Sequence, residues 1–173
     1  MFEKYIGDEK VRYVLGNTGE KTLVVFGINP STANKDKSDT TISTILYRLN
    51  DWGYDSFVML NIYPERATKL ISLPKEINEE IHLKNLEEIE KVISDASGIL
   101  CAWGNQITDK DRSFFVNVCL KSIAEKIDES NVKTYCLGTS KSEHPYHPLA
   151  RVKKPEKLLS FDLNAYYKKL SEG

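Results

Sequence analysis

Three apolar runs, each leading into polar or turn-forming residues, limit what this chain can fold into more than any other feature. They are TLVVFGIN (Thr22–Asn29), SFVMLNI (Ser56–Ile62) and GILCAW (Gly98–Trp103). Apolar side chains at consecutive positions point to both faces of a strand, so such runs belong to strands covered on both sides. Between them the period changes. Ile42, Ile45, Leu46 and Leu49 fall on one face of a helix, with Gly53 as its stop. Ile77–Ala96 reads as a longer helix with Leu86, Ile89 and Ile93 inward, and Asp109–Ile127 as another. That last helix leads to a fourth strand, Thr134–Leu137, and Phe161–Leu170 forms a short terminal segment.

Strands alternating with helices imply right-handed crossovers and a three-layer α/β/α domain around a mainly parallel four-stranded sheet. Ahead of it, Val11–Leu15, the turn Asn17-Thr18-Gly19 and Thr22–Ile28 predict a β-hairpin-like extension. No repeat or linker-like stretch divides the chain, so residues 1–173 are expected to form a single domain.

Composition removes several function classes. The first residues, MFEKYIGDEKVRY, contain no apolar leader, and no apolar run approaches the roughly 18 residues of a membrane span. Three widely spaced cysteines, Cys101, Cys119 and Cys136, suit neither a disulfide framework nor a thiolate metal site. They read as small buried hydrophobes in a reducing compartment. The expectation is a cytoplasmic monomer without metal, cofactor or membrane partner. A net charge of −1 argues against bulk electrostatic attraction to nucleic acid. Residues 131–173 nevertheless hold eight positive against four negative charges. Contact with a polyanion is therefore expected, if anywhere, at Lys141, Arg151, Lys153 and Lys154.

In open parallel sheets, ligands bind beyond the carboxyl ends of the strands. Those ends deliver Asn29, Pro30, Ser31 and Thr32; then Asn61, Tyr63, Pro64, Arg66 and Thr68; then Trp103, Gly104, Asn105 and Gln106. The fourth strand runs through Gly138-Thr139 into a loop with His144, His147, Pro148, Leu149 and Arg151. Each residue alone has an ordinary structural explanation: Asn29-Pro30 is a common turn pair, Trp103 suits a core, and a histidine between prolines suits a loop. Asn61 is the most informative, because an amide in an apolar strand is costly unless it is paired. It bonds either neighbouring backbone or a ligand.

The segments GINPSTAN, DWGY, LNIYPERAT, AWG, CLGTSK and HPL, in that order, resemble the family called domain of unknown function 1643, over about Tyr13 to Arg151. That family carries no established activity. The same strand ends are similar, more distantly, to the uracil-DNA glycosylase superfamily. That resemblance implies that Asn29 positions an attacking water and Asn61 reads a flipped base. It also implies that His147 supports the departing base while Leu149 wedges the duplex. Tyr63 or Trp103 could then supply a stacking face.

The departures are instructive. Ala150 replaces the later part of the glycosylase loop, and Thr32–Asp36 lacks the aromatic that stacks uracil. Asp39, Thr40, Arg66 and Thr68 follow the domain-1643 pattern and have no glycosylase counterpart, which points to a free nucleotide or modified base as ligand.

The leading expectation is an enzyme acting on a nucleobase or its N-glycosidic bond, in nucleic acid or a nucleotide. Catalytic candidates are Asn29 and His147. Binding candidates are Pro30, Ser31, Asn61, Tyr63, Arg66, Thr68, Trp103 and Leu149, with nucleic-acid contacts at Lys141, Arg151 and Lys154. The alternative is a non-catalytic nucleic-acid or nucleotide-binding module. A third possibility is a hydrolase built on Ser31, His147 and Asp39, although Ser31 lies outside any GxSxG elbow. A His144/His147 metal pair is weaker still, having only Glu143 as a neighbouring carboxylate.

Overall fold

The computed structural model describes residues 1–173. Its strands are β1 (Lys4–Gly7), β2 (Arg12–Gly16), β3 (Thr22–Gly27), β4 (Ser56–Asn61), β5 (Gly98–Cys101), β6 (Thr134–Cys136) and β7 (Leu159–Ser160). The helices are α1 (Thr40–Arg48), α2 (Glu79–Ile93), α3 (Lys121–Ser130) and α4 (Leu163–Glu172). One seven-stranded sheet runs in the order β1-β2-β4-β3-β5-β6-β7. Its centre, β4-β3-β5-β6, is parallel, and β1, β2 and β7 add antiparallel edges.

The parallel centre agrees with the apolar runs. The sheet is wider than the four strands expected, because β1 and β7 are short and largely exposed and so leave no apolar signature. The hairpin is also composed differently. β2 does not pair with β3; it pairs with β1 on one side and β4 on the other, so the turn after Gly16 crosses over β4. Gly16 makes that closeness possible: a Cβ there would stand 2.2 Å from the Phe57 carbonyl oxygen.

Strand alternation sorts the core into two layers. Val24 and Phe26 of β3, Val58 and Leu60 of β4, and Ile99 and Cys101 of β5 meet Ile89 and Ile93 of α2, Ile123 and Ile127 of α3, and Tyr166 of α4. On the opposite face, Leu23, Val25, Phe57, Met59 and Leu100 meet Ile42 and Ile45 of α1, with Phe2, Trp52 and Tyr54. Three helices thus cover one face, and a single short helix covers the other. The expected helix over Asp109–Ile127 is interrupted. A 3₁₀ turn at Lys110–Arg112 precedes a wider π-helical stretch, Phe115–Leu120, which continues into α3. No helix is long and apolar enough to cross a membrane. The three cysteines are buried and unpaired, and burial raises their thiol pKa values, that of Cys119 to about 12.

Candidate functional site

On the thinly covered face, where β3 and β4 end, a cleft of about 220 Å³ opens beneath the first turn of α1. The chain reaches it from six directions: Arg12 from β2, Gly27–Asn29 and Ser31 from the end of β3, Asp39 and Thr41 from the start of α1, Thr68 from the segment after β4, Gln106 from the turn after β5, and His147 from the loop after β6. This volume is below the roughly 300–1,000 Å³ of drug-sized ligand sites. It is too small to enclose a stretch of polymer.

The two strand-end loops are laced together. The N–H groups of Ile62, Tyr63 and Ala67 donate to the carbonyls of Gly27, Ile28 and Pro30 at 2.9 Å each. Within this frame Asn29 Nδ2 donates to the carbonyls of Pro30 (3.0 Å) and Ala67 (2.9 Å). Both amide hydrogens are therefore spent on backbone. The side chain is locked with its Oδ1 free as an acceptor.

Asn61 is fully buried at the end of β4, and neither its Nδ2 nor its Oδ1 has a protein partner. Its β3 partner in register is Gly27, which lines the cleft. A Cβ on Gly27 would stand 3.1 Å from Asn61 Oδ1, so the missing methyl leaves the amide directly behind the cleft wall. Leaving a buried amide unpaired costs about 1–3 kcal/mol.

The His147 loop is pinned to the ends of β5 and β6: Gly104 N–H donates to the Pro145 carbonyl, and Tyr146 N–H to that of Gly138, both at 2.9 Å. The Leu149 N–H donates to His147 Nδ1 at 3.1 Å. An accepting Nδ1 requires the proton on Nε2, so the neutral ring has an Nε2–H donor. Burial lowers the His147 pKa; Asp39 opposes this shift and Lys154 reinforces it. Near neutral pH the ring is a neutral donor.

Arg12 and Asp39 supply the charges, and Arg12 comes from the start of β2 rather than from a strand's carboxyl end. Arg12 is 2% exposed; its Nη1 donates to the Ala33 carbonyl at 3.1 Å, and its Nε has no partner. In sequence, a lone arginine opening a strand looks like any solvated surface charge. Burial, and then the neighbouring Arg66, pull its pKa down to about 10, with Asp39 acting in the opposite direction. It remains cationic at neutral pH. Asp39 caps α1, its Oδ1 accepting from the Ile42 N–H at 3.0 Å.

Other candidates lie elsewhere. Tyr63 and Trp103 are buried in the layer on the opposite face of the sheet, so neither can stack on a ligand in this cleft. Tyr63 donates its hydroxyl to Glu65 (2.6 Å), and the Trp103 indole donates to the Tyr166 hydroxyl (3.1 Å). An unbroken apolar run conceals this, since both faces look alike in sequence. Arg66 stands behind the cleft, donating to the carbonyls of Asp8, Ser31 and Ala33 and to the Tyr5 hydroxyl. Pro30 is buried and contributes its carbonyl rather than its ring. Ser31 and Thr68 line the cleft, whereas Leu149 is exposed beyond it. Lys141 and Arg151 are exposed, and Lys154 is committed to the carbonyls of Ala150 and Val152.

Ser31, His147 and Asp39 do meet at the cleft, but His147 Nδ1 accepts a backbone proton instead of donating one to Asp39. A nucleophilic triad needs the opposite tautomer. His144 faces Tyr166, its Nδ1 2.8 Å from the hydroxyl, rather than pairing with His147. No three His, Cys, Asp or Glu side chains are grouped so that they could hold a metal ion.

Against known protein families, residues 12–149 match the one described as protein of unknown function, DUF1643. No curated protein and no solved structure matches the chain.

Proposed function

The chain belongs to the DUF1643 family, and on that footing we propose that its cleft binds a nucleobase-bearing ligand and hydrolyses the bond between base and sugar. The observation that carries this reading is the pairing, in one cleft, of a fixed acceptor at Asn29 Oδ1 with a neutral Nε2–H donor at His147. The distant resemblance of the strand-end motifs to those of uracil-DNA glycosylases supports the same chemistry.

Breaking an N-glycosidic bond sends its electron pair to the base while positive charge grows at the sugar carbon. The His147 Nε2–H is suited to meet, as a neutral hydrogen-bond donor, the charge developing on a base oxygen. Water then adds to the sugar carbon. Asn29 Oδ1 orients that water, and the Asp39 carboxylate, whose Oδ1 is held by the helix cap, takes its proton. Asp39 thereby supplies the base that an amide cannot be. Asn61, with donor and acceptor both unspent, lies behind Gly27 and the Met59 methyl, and meets the edge of a pyrimidine-like ring once Met59 moves aside. Apolar contact with the ring faces falls to Ile28, Ile42 and Met59 in place of aromatic side chains.

The test is a panel of nucleosides, nucleotides and oligonucleotides carrying normal, deaminated and modified bases, with released base detected by mass spectrometry. Free base should accumulate from at least one member, and Asn29→Ala and His147→Gln should each slow release by about a hundredfold, the usual scale for one positioned group. Saturable binding without any base release would leave a non-catalytic binding module in its place.

A further inference from the structure

The cleft holds a cation that the hydrolysis does not use. Arg12 is 2% exposed, lines the cleft, and leaves its Nε without a hydrogen-bond partner. Its single side-chain hydrogen bond is to a neutral carbonyl, that of Ala33, and no carboxylate stands within ion-pair distance. The Arg66 guanidinium converges on the same carbonyl at 2.8 Å, also without an ion-pair partner. Two guanidiniums sharing one carbonyl repel each other, and the buried one loses hydration as well. An unpaired buried charge of this kind is expensive to maintain. The shape of a guanidinium matches phosphate and carboxylate oxygens.

From this juxtaposition we infer that Arg12, with Arg66 behind it, forms an anion subsite for the phosphate of a mononucleotide. The inference rests on the reading of the cleft as a nucleobase site and narrows its substrate to a free nucleotide. The distribution of charge favours the monomer over a nucleic acid. The unpaired cation, itself buried, lines a cleft of about 220 Å³, and Lys154 is already committed to backbone carbonyls. Asp39, the carboxylate lining the cleft, lowers its affinity for an anion without neutralising Arg12.

The experiment is calorimetric titration of the full chain with inorganic phosphate, nucleoside 5′-monophosphates and the matching nucleosides, at constant ionic strength set by chloride. Phosphate should bind saturably. The preferred nucleotide should bind about ten- to a hundredfold tighter than its nucleoside, the range for hydrogen bonds to a charged group. Arg12→Met should abolish both effects. Because Arg12 also anchors the Ala33 carbonyl, that variant could unfold; Asp39→Asn provides an independent check, since asparagine still caps α1. Asp39→Asn should tighten phosphate binding severalfold. Nucleoside and nucleotide binding equally well, or phosphate affinity unmoved by Asp39→Asn, would overturn the subsite. Base release from nucleosides and nucleotides at equal rates would sink the subsite and leave the glycosidic reading standing. Phosphate-dependent nucleotide binding without base release would do the reverse.

Discussion

At the scale of single residues, Asn61 separates stability from function. A buried amide with no partner is a defect in a core and an asset in a recognition site. Asn61→Leu, similar in volume and apolar, should raise the stability of the ligand-free protein by about 1–3 kcal/mol while weakening ligand binding. Urea unfolding followed by a binding titration reads both; destabilisation instead would mean that the amide is satisfied in the free protein. Asn61 stands out in sequence because it interrupts an apolar strand, and Asn29 and His147 because they lie at strand ends; the cleft lining includes Asn29 and His147 but not Asn61. Arg12 does not stand out, since nothing in Val11-Arg12-Tyr13 distinguishes a buried cation from a solvated one. Trp103 and Tyr63 misled for a related reason: in a run apolar on both faces, the parity that sends a side chain toward α2–α4 or toward α1 leaves no trace.

Among the elements, the connection after β5 turns on a single glycine. Gly104 has φ +71° and ψ −167°, a region essentially closed to residues with a Cβ, and it directs the chain into the 3₁₀ turn Asn105–Thr108 that brings Gln106 to the cleft. A Cβ there would lie 3.5 Å from His147 Cβ, ordinary contact, so the penalty is backbone strain and not collision. Gly104→Ala is expected to cost about 1–3 kcal/mol, read as a lower urea midpoint; an unchanged midpoint would contradict it. The long elements were readable because Ile89 and Ile93 repeat at helical spacing and β3 to β5 are unbroken apolar runs. β1 and β7 escaped notice because edge strands of a few exposed residues are indistinguishable from loops. The expected hairpin failed because the turn signal at Asn17–Gly19 reports a change of direction without saying which strand lies alongside.

Across the whole molecule, all three histidines titrate below their ordinary value of 6.5, each chiefly through burial. Depressed folded-state pKa values mean that, as pH falls through 6.5, the unfolded chain takes up protons that the folded chain refuses. The stabilisation is complete above 6.5 and is lost below it. Thermal melting temperature should therefore decline between pH 7.5 and 5. It should fall again below about 3.8, as groups such as Asp8, held ionised by the N–H groups of Val11 and Lys10, are protonated. A flat profile across the first interval would mean that the histidines are hydrated. Sheet, helices and loops together place Asn29, Asp39, Arg12 and His147 around one hollow, with Asn61 buried behind its Gly27 wall, and every functional statement rests on that arrangement. Its most direct test is a ¹⁵N-resolved NMR titration of the Asn61 side-chain amide and the His147 imidazole with the nucleotide panel. Both signals should move together and saturate with a single dissociation constant. Signals that move independently, or stay fixed at millimolar ligand while other parts of the surface respond, would contradict it.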